Sequence, residues 1–242
     1  MPSKRRLSTS RNVLQDLVAA NRILARHGVL DAYGHVSVRS DAAPDRFVMS
    51  RSLAPSLVTV ADLMEHGPDS DPVGDARRPY LERYIHGEIY RRRPDVMAVV
   101  HSHSDSVIPF GATKSALQPI YHMASFLATG VPVFEIRDTA PDNDLLIRDP
   151  RLGAALAQRL GACTCVLMRG HGMTVVGDSL PEAVFRAVYT ERNAKLQAMA
   201  GQLEGPIRFL SPEEGRRATQ TNRSTLERPW ELWKKAALRR GE

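Results

Sequence analysis

His101-Ser102-His103 and the distant His171 are the side chains whose types and spacing most clearly point to chemistry. Alternate residues of an extended segment point the same way, so His101 and His103 share a face. The apolar run Val96-Met97-Ala98-Val99-Val100 before them reads as a buried strand. His171 lies in Arg169-Gly170-His171-Gly172, directly after a second such run, Cys165-Val166-Leu167-Met168. Three imidazoles at the ends of two strands match an open catalytic metal site, with three protein ligands and positions left for substrate. The competing reading is a set of polar strand ends, which explains an i, i+2 pair plus a glycine-flanked third histidine less well. Nitrogen donors suit one divalent metal per subunit, zinc or manganese first, with iron and cobalt as alternatives.

Glu82 and His86 are four residues apart in a segment, 81–92, that carries Leu81, Ile85 and Ile89 as one helical stripe ended by Pro94. Only Pro94-Asp95 separates this helix from the strand bearing His101, so it is expected to fold back against that strand. Glu82 then reaches the metal as a fourth ligand in the resting state or as an acid/base beside it. A surface Glu–His pair is the alternative. His122 either lines the pocket, from its own or a neighbouring subunit, or is structural, and Tyr189 is read as packing.

Around these residues the pattern predicts a helix over 11–27, a strand over Gly34–Arg39 with Arg46–Ser50 as its hairpin partner, and a loop over 65–75. A short helix follows from about Asp105, then a strand over 131–136, a helix over 149–160, a strand over 163–168 and a return over 174–176. Pro181 opens the longest helix, to about Gly201. The resulting division is a loose tail over 1–10, a catalytic domain over 11–210 and a C-terminal helical extension over 211–242, which starts with a capping-box pattern at Ser211.

The chain has 242 residues, 43% hydrophobic and 25% charged, which suits one soluble globular domain with a sizeable core. No run approaches the roughly 20 apolar residues of a membrane span. The basic, Ser-rich start lacks the apolar centre of a secretory signal, so a cytoplasmic protein is expected. The net charge of +6 gathers at the termini and at Arg91-Arg92-Arg93 without interleaved aromatics, which argues against nucleic acid as a partner. Cys163 and Cys165 alternate on one face and read as two small core residues, with a metal role as the alternative.

Taken in order, Glu82…His86, Arg93 to His103 and Arg169-Gly170-His171-Gly172 resemble the class II aldolase/adducin family over residues 10–200. Gly34-His35-Val36-Ser37-Val38-Arg39 stands where that family has a Gly-Asn-x-Ser-x-Arg strand. The resemblance implies a three-layer α/β/α sandwich around a mixed, mainly antiparallel sheet. It also implies a homotetramer with sites between subunits, His101, His103 and His171 as metal ligands, and Glu82 as an acid/base that binds metal when substrate is absent.

Sugar-phosphate aldolases of that family seat phosphate on Gly-Asn, Ser-Gly and Ser-Ser segments, and here these read Gly34-His35, Arg51-Ser52 and Tyr80-Leu81. A tyrosine, a leucine and an arginine fill space that close backbone approach to phosphate requires. His35, Ser50, Arg51, Ser52, Arg77, Tyr80 and His122 are the candidate substrate contacts, with the arginines suited to carboxylates. Arg77 and Arg78 in a solvated loop are the alternative. These features are similar to the branch that decarboxylates hydroxylated aromatic or pyridine dicarboxylates. The expected function is therefore a metal-dependent carbon–carbon lyase, a decarboxylase of an ortho-hydroxy aromatic carboxylate. An aldolase for a non-phosphorylated hydroxy-keto acid or a sugar phosphate is the nearest alternative, and a non-catalytic adducin-like domain the remote one.

Overall fold

The computed structural model describes residues 7–239. In chain order the elements are α1 (Arg11–Arg26), β1 (His35–Arg39), β2 (Phe47–Ser50), β3 (Leu63–His66), α2 (Arg83–Arg92), β4 (Ala98–Ser102), α3 (Ile108–Ala112), β5 (Val133–Phe134), α4 (Pro150–Leu160), β6 (Cys165–Met168), β7 (Gly172–Gly177), α5 (Leu180–Ala200), α6 (Pro212–Arg223) and α7 (Glu227–Leu238). The strands form one sheet in the order β3-β2-β1-β4-β7-β6-β5. Every pairing is antiparallel except that of β5 with β6.

Strand alternation sorts the sheet's side chains into two cores, and this sorting places the site. Val36, Val38, Ala98, Val100, Leu167 and Val175 face one layer, built on α1 and α5 and closed by Trp230 of α7. Phe47, Met49, Val99, Val166 and Val176 face the other, where Ile85 and Ile89 of α2 meet Leu152 and Leu156 of α4. The molecule is thus the expected α/β/α sandwich. His35, Ser37 and His101 keep step with Val99 and so face α2. Helices α2 and α4 approach closely at Gly153, where a Cβ would lie 2.5 Å from the Tyr84 carbonyl oxygen.

Local chemistry sets the helix starts. Asp149 accepts from the Leu152 N–H at 2.8 Å with Pro150 in the first turn, and Ser179 caps α5 ahead of Pro181. Ser211 and Glu214 form the predicted capping box of α6. Helix α6 lies on the 3-10 segment His122–Thr129, and α7 lies on α1 with Lys234 2.7 Å from Asp16. Among the described residues no helix is long and apolar enough to cross a membrane.

Several expectations need correction. Glu65 and His66 belong to β3, and His66 bridges to Pro72, so the loop over 65–75 starts two residues later than expected. The predicted strand over 131–136 shrinks to Val133–Phe134 before a short 3-10 turn at Ile136–Asp138. Residues 7–10 are not loose: Thr9 is buried and donates to Ser40 at 2.9 Å, and the Ser8 hydroxyl meets Glu65. The rest of the expected tail, residues 1–6, lies outside the described residues. Cys163 precedes β6 and packs on the α2–α4 side, while Cys165 faces the α1–α5 core, so the two thiols do not share a face.

Candidate metal centre

The β1–β4 ladder puts His35 directly opposite His101, and the β4–β7 ladder pairs Ser102 with Met173. His171 hangs in the turn between β6 and β7. Gly170 there has φ 65°, a left-handed conformation that favours glycine. A Cβ on Gly172 would run into the Ser102 carbonyl, so glycine lets β7 close on the end of β4 and brings His171 over His103. Glu82 does not sit inside α2 as the spacing suggested. It is the N-cap residue, with φ −89° and ψ 20°, one residue ahead of the helix that carries His86.

Glu82, His101, His103 and His171 each direct one ligand atom into a common space, all within 4.8 Å of one another. Oε2 of Glu82 is 3.5 Å from Nε2 of His171 and 3.6 Å from Nε2 of His101. The Nε2 atoms of His171 and His103 are 3.1 Å apart. Each ring has an acceptor behind it. Nδ1–H of His101 donates to the Met173 carbonyl at 3.1 Å, that of His103 to Asp31 at 3.1 Å, and that of His171 to the Leu145 carbonyl at 2.9 Å. These bonds hold a proton on each Nδ1, so Nε2 of His101 and His103 is bare and Nε2 of His171 has only the proton it shares with Glu82 to give up to a cation. Nε2 of His101 is buried and has no hydrogen-bond partner among the described residues. A tetrahedral ion with bonds of about 2.0–2.1 Å separates its donors by roughly 3.3 Å. The donor set therefore fits a divalent metal in both chemistry and spacing.

The electrostatics agree with a ligand role. Burial pushes the Glu82 carboxyl upward, but its hydrogen bond to His171, the His101 and His171 charges and the Ile147 N–H together bring its pKa down to about 2. That N–H donates to Oε1 at 2.9 Å, leaving Oε2 for the centre. Burial lowers His101 far below the ordinary imidazole value, against the pull of Glu82. Burial also lowers His171, but its hydrogen bond and charge attraction to Glu82 more than reverse this and leave it raised.

The remaining candidates divide. His35 is buried beside His101, ring centres 5.0 Å apart, and against Tyr80 at 4.6 Å. Tyr80 turns its hydroxyl to the Leu53 carbonyl and meets the Ser50 hydroxyl. Arg51 gives Nε to Asp62 at 2.9 Å and keeps its terminal nitrogens, while the Ser52 N–H donates to the Arg78 carbonyl. Arg77 departs from expectation, because its guanidinium is taken by Asp75 and by the Ala61 and Leu63 carbonyls and so braces the 61–77 segment. His122 also departs: it is exposed in the opposite layer, where its carbonyl accepts from Asn222, so within one chain it is not gathered to the cluster. His86 is not part of the cluster either, and bonds His35 instead, Nε2 to Nδ1 at 2.7 Å. Tyr189 packs on Phe185 at 4.5 Å.

Asp31 went unnoticed in the sequence. Its signal is an Asx turn ahead of Gly34: Oδ1 takes the Tyr33 and Gly34 N–H groups at 2.8 Å, which leaves Oδ2 for His103. The Met173 and Leu145 carbonyls and the Ile147 N–H are backbone groups with no side-chain signature.

Residues 15–198 match the Class II Aldolase and Adducin N-terminal domain. The chain is 42% identical to decarboxylase tropJ of Talaromyces stipitatus, over 91% of this chain and 92% of that one. It is 30% identical to the 3,4-dihydroxyphthalate decarboxylase of a Terrabacter species, over 83% and 86% respectively. An aldolase II superfamily protein from Pseudomonas syringae shares the fold at a TM-score of 0.81 and 22% identity, covering 98% of this chain and 96% of its own. The chain therefore belongs to the class II aldolase and adducin family.

Proposed function

We propose that this protein is a divalent-metal-dependent carbon–carbon lyase that decarboxylates an ortho-hydroxy aromatic or pyridine carboxylate. The observation that carries this reading is the contact of the Tyr80 ring with His35, 4.6 Å between centres, beside the His–Glu cluster. A phosphate needs small residues and open backbone N–H groups. A phenol ring packed at a 48° tilt against an imidazole fills that space and offers no such cradle. Arg51, anchored through Nε on Asp62, keeps two terminal amino groups for the paired oxygens of a carboxylate. Relatives named decarboxylases, one of them for 3,4-dihydroxyphthalate, support the same substrate class.

His101, His103 and His171 would hold the metal, with Glu82 completing the set at rest. Zinc or manganese is proposed, with iron and cobalt compatible with the same donors. When bound, the ion supplies Lewis-acid stabilisation of the negative charge that develops as the carbon–carbon bond breaks. The chain's own groups do the rest. Arg51 and His35 bind and orient the acid. The bond from ring to carboxyl carbon breaks, carbon dioxide leaves, and the electron pair stays on the ring carbon, which takes up one proton. Oε2 of Glu82 is the atom proposed to deliver it, since Oε1 is tied to the Ile147 N–H. Burial is the largest influence on this carboxyl and favours its protonated form, so Glu82 can carry a proton once it is released from the imidazoles and the metal.

The family resemblance supports a homotetramer with sites between subunits as part of the proposal, and that arrangement is where a neighbour's His122 would enter. Incubation of the zinc- or manganese-loaded protein with ortho-hydroxy aromatic mono- and dicarboxylates should release carbon dioxide. Chelation should abolish the release and re-addition of metal restore it. Full release from chelator-stripped protein would contradict the reading.

A further inference from the structure

Behind the cluster, β1 and α2 are joined by four buried side chains in one line. Nδ1 of His35 is 2.7 Å from Nε2 of His86, Nδ1 of His86 is 2.6 Å from the Ser37 hydroxyl, and that hydroxyl is 2.8 Å from Tyr90 OH. His35 and Ser37 alternate along β1, and His86 and Tyr90 are one turn apart on α2, so the two elements interleave their polar groups.

The direction of these hydrogen bonds follows from the far end. Burial pushes the Tyr90 hydroxyl up, so it stays protonated, and the Val99 N–H already bears on its oxygen. Its proton goes to Ser37, the side-chain acceptor within reach. Ser37 then donates to Nδ1 of His86. Burial lowers His86 to a pKa of about 3, so the ring is neutral and carries its one proton on Nε2, which donates to Nδ1 of His35. His35 is left with its proton on Nε2.

We propose that His86, set by Tyr90 through Ser37, is a positioning residue that locks His35 as the Nε2–H tautomer. His35 then serves as a donor to the substrate carboxylate and is withheld from the metal. The contrast with its neighbours carries the inference. Behind each ligand ring stands an acceptor, the Met173 carbonyl, the Asp31 carboxylate or the Leu145 carbonyl, which holds a proton on Nδ1 and leaves Nε2 for the cation. Behind His35 stands a donor, which does the reverse. With its ring 5.0 Å from that of His101, a His35 with a bare Nε2 would compete as a further metal ligand. The carboxylate part of this inference rests on the decarboxylase reading, whereas the tautomer does not.

The test is nitrogen-15 NMR of the histidine rings in the zinc-loaded protein, alongside steady-state kinetics. Wild type should show His35 protonated at Nε2 and the three ligand rings protonated at Nδ1. His86→Leu should convert His35 to a tautomer mixture and raise KM for an ortho-hydroxy aromatic carboxylate about tenfold, with a smaller change in kcat. His86→Gln keeps an N–H for His35 and should preserve both values. Ser37→Ala removes one oxygen atom, should also mix the tautomers, and serves where His86→Leu fails to fold. A wild-type His35 protonated at Nδ1, or an unchanged His35 in both His86→Leu and Ser37→Ala, overturns the lock. The lock holds if the tautomers are as stated while no hydroxyaryl acid is turned over, and only the decarboxylase reading then falls. Turnover with His35 protonated at Nδ1 has the opposite meaning.

Discussion

Nε2 of His103 faces Nε2 of His171 across 3.1 Å, and Asp31 and the Leu145 carbonyl behind the two rings hold a proton on each Nδ1. A cation entering this gap takes the place of the proton that His171 shares with Glu82 and coordinates both nitrogens. The second layer of hydrogen bonds thus prepares the first for metal.

Asp31→Asn tests that preparation. Asparagine can keep its oxygen on the Tyr33 and Gly34 N–H groups and so retain the turn, but it then points an amide donor at Nδ1 of His103. Metal affinity should fall about 10–100-fold, measured by competition with a chelating dye. An unchanged affinity would show that Asp31 does not orient the ligand.

Arg51 should act on substrate and not on metal. Arg51→Lys keeps the charge but loses the planar pair of donors. The expected result is a kcat/KM lower by about tenfold or more, carried by KM, with metal content unchanged. Equal loss of bound metal would move Arg51 out of the substrate site.

Stability should fall between pH 6.5 and pH 4 in the metal-free protein. Burial lowers His66 to about 4, against an ordinary 6.5, and His86 to about 3. A histidine depressed in the folded state contributes nothing above its unfolded value. Below that value the unfolded chain binds the proton and the fold does not, so each group removes up to about 1.4 kcal/mol per pH unit, or about 2 kcal/mol at pH 5. His35 and His101 are pushed the same way, while His171, raised through Glu82, works in the opposite sense. Urea unfolding at pH 7 and pH 5 measures the drop, and His66→Gln should remove the share of one group. Equal stability at both values would contradict the neutral buried rings.

Gly153→Ala sets two effects against each other. Alanine improves helix propensity by about 1 kcal/mol. Its Cβ, however, would lie 2.5 Å from the Tyr84 carbonyl oxygen and 2.8 Å from Cγ of Glu88, and a backbone carbonyl cannot step aside. Overpacking of about 1–3 kcal/mol should win. A lowered melting temperature is expected, and a raised one would mean that α2 and α4 separate freely.

Much of the site was legible because its side chains sit where strand period and chain order speak plainly. His101 and His103 follow from alternation, and His171 from the glycines around it. The hairpins β1–β2 and β6–β7 were equally plain, while the antiparallel centre they join came from the family resemblance. Glu82 joins the cluster from the N-cap of α2, one residue ahead of the helix in which its spacing with His86 had placed it. Residues 7–10 read as a tail because their few hydroxyls carry no periodic signal, although Thr9 and Ser8 bond across to Ser40 and Glu65. Arg77 looked free because sequence does not show that the Ala61 and Leu63 carbonyls are turned toward it. The acceptors that set each ligand's tautomer are mostly backbone, and only the folded chain brings them behind the rings.

The most direct test compares two reactions on one zinc- or manganese-loaded preparation. Carbon dioxide release is followed from an ortho-hydroxy aromatic dicarboxylate, and aldol cleavage from a ketose 1-phosphate, each as kcat/KM. The contact of Tyr80 with His35 predicts that decarboxylation exceeds aldol cleavage by at least about a hundredfold. Efficient cleavage of the sugar phosphate with no release of carbon dioxide would contradict it.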